Sequence, residues 1–145
     1  MKTAIVYYSR HHENTKKLLT AIARLGDVTL INVSETPEAD LSGYDRIGFA
    51  SGIYYSKFHK LVLSFAQKNL PEGKKVFFVY TYGAKREGYT KAIRAVAEQK
   101  KCTVLGEYGC QGFNTFGPFG LIGGMGKGRP NAEDVQGAVA FYRDL

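Results

Sequence analysis

The chain has 145 residues, a net charge of +7 at pH 7, 44% hydrophobic residues and 23% charged ones. That length and mixture suit one domain, 1–145, around one substantial core, and they exclude a disordered, collagen-like or repeat protein. Two cysteines are too few for a disulfide scaffold, no apolar run approaches a membrane span, and Met1-Lys2 leads directly into a strand pattern, so a cytoplasmic location is expected.

"TAIVYY" (3–8) is a continuous apolar run, the pattern of a strand covered on both faces. Leu18, Leu19, Ile22 and Leu25 then recur at helical spacing, and "VTLINV" (28–33) reads as a second strand. Residues 34–45 are polar, with Pro37 and Gly43, and hold at most a short helix around Glu38–Leu41. "RIGFASG" (46–52) is a third strand, and Phe58, Leu61, Val62, Phe65 and Ala66 trace one face of the next helix. "KKVFFVYT" (74–81) and "CTVLGEY" (102–108) are strands four and five, with a helix marked by Tyr89, Ala92, Ile93 and Val96 between them. After a glycine-rich stretch, "RPNAEDVQGAVAFYRDL" reads as a last helix, capped by Asn131 and with Glu133 and Asp134 at the positive end of its dipole.

Strands alternating with helices imply an α/β doubly wound fold, a five-stranded parallel sheet with helices on both faces. Ligands of such sheets bind beyond the carboxyl ends of the strands. The loops 8–15, 52–57, 81–89 and 109–129 are therefore the candidate site.

The first loop, "SRHHENT", crowds hydrogen-bonding side chains against a helix start. Ser9, Asn14 and Thr15 suit a phosphate cradle, although Asn14 or Thr15 could equally cap the helix. His11 and His12 stand adjacent with only His59 besides, which is no zinc spacing, so no metal site is expected. No G-x-S-x-G motif asks for a histidine base. The strand ends lack the carboxylates of a phosphoacceptor domain, Cys110 is followed by no phosphate loop closing on arginine, and Lys127 precedes Gly128 rather than the hydroxyl residue of a P-loop. Cys110 reads as a small buried filler, and Phe113, Phe116 and Phe119 as packing under the last long loop. The basic residues are scattered along the chain without an aromatic-basic or helix-turn-helix pattern. Nucleic acid is therefore not expected, and the surplus charge favours acidic partners.

"IVYYSRHHENTKKLL" resembles the first strand and phosphate loop of flavodoxins, "YDRIGFASGIYYSKFHK" their third strand and first flavin-flanking loop, and "VYTYGAKREGYTKAI" their second. The tail "GEYGCQGFNTFGPFGLIGGMGKGRPNAEDV" is similar to that of a subgroup of small flavodoxin-like proteins. The resemblance implies strand order 2-1-3-4-5 with FMN at the switch between strands one and three, the arrangement for which flavodoxin is a standard example. It implies that Ser9, His11, His12, Asn14 and Thr15, with the intervening amides of Arg10 and Glu13, bind the FMN phosphate. The flavin ring would lie between Ser51, Gly52, Ile53, Tyr54 and Tyr55 on one side and Thr81, Tyr82 and Gly83 on the other.

Glu13 stands where the family favours glycine. A carboxylate about 6–8 Å from a phosphate charge costs about 2–3 kcal/mol at an effective dielectric near ~20. Lys85-Arg86 beside a flavin would favour its anionic reduced form and raise its potential. The implied function is an electron carrier between redox partner proteins with acidic docking surfaces, needing no acid-base catalytic residue. An FMN-dependent NAD(P)H:quinone-type reductase and a flavin-free binding module on the same fold are the alternatives.

Overall fold

The computed structural model of the chain describes residues 1–9, 13–113 and 128–145. Its first strand, β1 (Thr3–Tyr8), is buried along its whole length, as an apolar run between two helical layers should be. The described elements continue as α1 (Asn14–Ala23), β2 (Val28–Asn32), β3 (Arg46–Tyr54), β4 (Lys57–Phe58) and α2 (Lys60–Asn69). They close with β5 (Lys75–Tyr82), α3 (Lys91–Gln99), β6 (Thr103–Gln111) and α4 (Ala132–Arg143). The sheet runs β2-β1-β3-β5-β6, parallel throughout that path, with the two-residue β4 turned back antiparallel on the end of β3. Leaving β4 aside, this is the expected order, and the winding direction reverses between β1 and β3.

Side chains alternate across each strand and so feed two cores. Val6, Phe49, Val76 and Phe78 pack with Val62 and Phe65 of α2 and Ile93 and Val96 of α3. Ile5, Phe77 and Val79 face the other way, onto Leu18, Leu19 and Ile22 of α1 and Ala138 and Tyr142 of α4. Both faces of the sheet are therefore covered, and the free space for a ligand is left at the strand ends. No helix among the described residues is long and apolar enough to cross a membrane.

Several boundaries differ from the sequence reading. Residues 34–45 hold turns and no helix. Phe58, expected on a helix face, belongs to β4, where its ring lies 6.3 Å from Phe78 and 6.1 Å from Tyr80. The reason is the next residue: His59 caps α2, its Nδ1 accepting the Leu61 N–H at 3.1 Å, so the helix starts only at Lys60. β3 and β6 both run further than the alternation suggested, to Tyr54 and Gln111.

Helix α4 begins as expected, on an Asn131–Asp134 capping box, and Arg129 adds an ion pair to Asp134. Burial works to raise the Asp134 pKa, but the bonds from Arg129 and from the Asn131 N–H outweigh it and hold the carboxyl below its ordinary value. A depressed carboxyl pKa stabilises the fold above the unfolded pKa and ceases to do so as pH falls through the folded one. Asp134→Asn is thus expected to cost about 1–2 kcal/mol near neutral pH. Urea titrations should show the gap from the parent closing below about pH 4.

Candidate functional site at the carboxyl edge of the sheet

Residues 9–13 connect β1 to α1; of these, Arg10, His11 and His12 lie outside the described residues. Glu13 has φ 50° and ψ 40°, is exposed, and makes no side-chain cap bond. The position calls for left-handed backbone, which glycine adopts freely and glutamate at about 1 kcal/mol. Asn14 and Thr15 do not cap the helix either. Their side chains cross to other strands: Thr15 Oγ1 bonds Thr81 Oγ1 at 2.9 Å, and Asn14 Nδ2 donates to the Phe113 carbonyl at 2.6 Å. The approach is close because Gly112 has no side chain; a Cβ there would stand 2.7 Å from Asn14 Nδ2.

This arrangement leaves groups open. The Lys16 N–H is taken by Ser9 Oγ at 3.3 Å, and the Lys17 N–H by the Glu13 carbonyl at 3.2 Å. The amides of Asn14 and Thr15 have no hydrogen-bond acceptor among the described residues. Asn14 is buried, and because its Nδ2 is fixed on Phe113, its Oδ1 is held on the opposite side, an acceptor without a donor. An unsatisfied buried polar atom of this kind costs about 1–3 kcal/mol until something donates to it.

Beside this connection, β3 and β4 form a hairpin closed by the Tyr54–Lys57 pair, with Tyr55 and Ser56 as its two-residue loop. Both loop residues have positive φ, 52° and 67°. Two left-handed residues match the twist of a tight hairpin, but asparagine and glycine are the usual occupants. The missing Asn-Gly signal is why the sequence showed only a loop here. The hairpin separates two adjacent tyrosines. Tyr54 turns inward, edge-on to Tyr8 at 5.9 Å and to His59 at 4.9 Å, while Tyr8 and His59 stack at 3.7 Å. Tyr55 stays 84% exposed at the tip. Ile53 pairs with Phe58 across the hairpin, next to Gly52. Ser51 is fully buried, its hydroxyl donating to the Gly52 carbonyl and accepting the His59 N–H at 3.0 Å. Tyr55→Asn with Ser56→Gly should relieve the turn and raise unfolding free energy by about 1–2 kcal/mol in chemical denaturation.

The other flank follows β5. The Tyr82 carbonyl accepts the Gly112 N–H at 2.9 Å and the Gly83 carbonyl accepts Gln111 Nε2 at 3.1 Å, so β6 fixes where this loop begins. Tyr82 and Tyr89 lie 6.1 Å apart across it, and Tyr89 donates to the Ala84 carbonyl. Its foot is held by Glu107, which takes bonds from Tyr80, Thr90 and Arg94. Burial opposes ionisation of Glu107, yet these three donors keep its pKa below the ordinary value, while burial and Glu107 push Tyr80 up to about 12. Cys110 is buried, and burial raises its thiol to about 12, which fits a packing residue rather than a nucleophile.

The structure thus brings Ser9, Asn14, Thr15 and Thr81 to one corner, with Tyr54, Tyr55, Tyr82 and Gly83 on the flanking segments. Tyr8, Gly112 and Phe113 fall within the candidate loops, but no role in the site could be read for them, and His59 lay outside those loops. Their contacts join residues distant in the chain, and a lone glycine or tyrosine carries no spacing signal. Phe113 was expected to pack under the last loop; it is half-buried, and its carbonyl is the support for Asn14. Phe116 and Phe119 lie outside the described residues, as does most of the glycine-rich tail.

Known proteins share this fold. The family model described as Flavodoxin domain matches residues 4–111. An uncharacterized protein of Methanocaldococcus jannaschii is 35% identical over 147 residues, covering 100% of this chain and 98% of its own. A solved flavodoxin from the domain Archaea superposes with a TM-score of 0.67 at 20% identity, over 98% of this chain and 94% of that one. A Fusobacterium nucleatum flavodoxin bound to flavin mononucleotide gives 0.65 at 14% identity, over 99% and 98%. With the family's sequence pattern matched from β1 through β6 and its strand order observed, this chain belongs to the flavodoxin family.

Proposed function

We propose that the chain binds FMN at the carboxyl edge of its sheet and carries electrons between redox partner proteins. The observation that supports this most is the unsatisfied set at the start of α1. Two amides there call for an acceptor, and the buried Asn14 Oδ1 calls for a donor. A ligand carrying a phosphate and hydroxyls on one short chain meets both, and FMN is such a ligand. The flavodoxin of Fusobacterium nucleatum, of the same fold, is bound to FMN.

When bound, FMN supplies the redox chemistry. The protein's residues bind and orient. The Asn14 and Thr15 amides, at the positive end of α1, would hold the phosphate, and Asn14 Oδ1 would take a ribityl hydroxyl. Ser9 and Thr15 hydroxyls would complete the cradle, with Arg10, His11 and His12 of the same connection. Tyr55 is the aromatic side chain presented for the ring, whereas Tyr54 holds the hairpin in place through Tyr8 and His59. Tyr82 and Gly83, fixed by β6, form the opposite flank.

A visible-absorbance titration of the purified protein tests the proposal. Uptake of micromolar FMN with a shifted flavin spectrum is expected, and no uptake would end it. Bleaching of the loaded protein by NAD(P)H alone would replace the carrier by a reductase. Glu13→Gly should tighten FMN binding by up to about tenfold, because it removes a carboxylate near the phosphate, and should raise stability, because glycine adopts this left-handed backbone without strain. Glu13 is exposed, so solvent screens most of its repulsion and the gain stays below the unscreened figure. Fluorescence titration of both proteins checks it.

A further inference from the structure

Five of the basic residues that look scattered along the sequence belong to segments that meet at one edge of the sheet. In a parallel sheet every strand-to-helix connection emerges at one edge, so cations from separate segments converge there. Lys57 on β4 and Lys60 at the start of α2 flank the hairpin, and Lys85, Arg86 and Lys91 belong to the connection from β5 into α3. The two groups are neighbours, because β3 and β5 are adjacent strands and Phe58 of the hairpin packs on Tyr80, which in turn meets Tyr82 and Tyr89. All five cations are exposed, and none is ion-paired among the described residues. Glu87 is the single acid on these two segments. The nearby Arg94 is different, since Glu107 neutralises it.

We infer that Lys57, Lys60, Lys85, Arg86 and Lys91 form a docking surface for an acidic redox protein, one that presents carboxylates around its own redox centre. The inference rests on the carrier reading for its purpose but not for its test. Complementary charge at a docking surface accelerates encounter and fixes orientation, and salt screens it. Exposed lysines without partners lose little on meeting carboxylates, since no existing ion pair has to break. Uniform positive charge would attract an acidic protein to any face. A local surface aligns it with the flank of the candidate flavin site.

The experiment is a calorimetric titration of the purified protein with an oxidised, acidic [2Fe–2S] ferredoxin, with no electron transfer involved. Binding is expected at low salt and should weaken at least tenfold between about 20 and 200 mM salt. Lys57→Glu with Lys60→Glu, and separately Lys85→Glu with Arg86→Glu, should each weaken low-salt binding about tenfold or more and flatten its salt dependence. Lys75→Glu with Lys101→Glu changes net charge equally at exposed positions on the opposite edge and should stay within about twofold. Equal losses from all three pairs, or no binding by the parent, overturn the inference. Duplex DNA that competes at physiological salt would reassign the surface to nucleic acid and overturn it too. Because the readout needs no flavin, a protein that takes up FMN yet shows no such binding refutes the surface alone.

Discussion

Thr15→Val is expected to weaken FMN binding by about 10- to 100-fold and to lower stability by about 1–2 kcal/mol. The two effects have separate origins. Thr15 is 1% exposed and its hydroxyl shares a 2.9 Å bond with Thr81, itself 4% exposed. Valine keeps the shape but leaves the Thr81 hydroxyl buried without its partner, which gives the stability loss. The same change removes a hydroxyl from the proposed phosphate cradle, where hydrogen bonds to a charged ligand are worth more than neutral ones. Thr15→Ser restores the oxygen and should recover most of both. Urea unfolding of the flavin-free protein and fluorescence titration with FMN read the two effects independently. If valine reduces stability yet leaves FMN affinity unchanged, Thr15 is a structural bridge only and the cradle lies elsewhere.

Gly48→Ala should cost about 3 kcal/mol of unfolding free energy, a fall in Tm of about 6–12 °C. Gly48 sits in β3, level with Ile5 of β1 and Phe77 of β5. A Cβ there would lie 2.4 Å from Cζ and 2.5 Å from Cε2 of Phe77, whose ring rests over the glycine. The ring has nowhere to go, being fully buried with Tyr142 at 5.8 Å and Phe141 at 6.3 Å. Phe77→Leu in the same chain should recover part of the loss, because a smaller side chain frees the volume a methyl group needs. Thermal unfolding of the single and double variants decides it. A single variant within about 1 kcal/mol of the parent would mean the sheet shifts more easily than close packing allows.

The architecture was legible because burial on both faces leaves a strong trace. "KKVFFVYT" could only be an interior strand, and β5 occupies Lys75–Tyr82. The polar corner at Ser9, Asn14 and Thr15 could be picked out as a candidate site because polar residues packed between a buried strand and a helix start are unusual. What Asn14 and Thr15 do there was not. Capping is a local act and can be read from neighbours, whereas their bonds to Phe113 and Thr81 depend on the strand order. The hairpin escaped notice because Tyr-Ser in left-handed backbone contradicts ordinary turn preference. The proposed basic surface was not legible for a related reason: a linear sequence shows which residues are near along the chain, and that surface would be assembled from segments that meet only at the sheet edge.

The bond from Asn14 to Phe113 spans 99 positions. During synthesis the start of α1 leaves the ribosome early, and the carbonyl that orients its asparagine leaves only when nearly the whole sheet has been made. If the proposed FMN site is right, a nascent chain would have no finished receptacle for a nucleotide until β6 has docked. Cofactor capture would then follow assembly of the last strand rather than guide the first, and a chain stalled before that strand would emerge colourless however much FMN surrounded it.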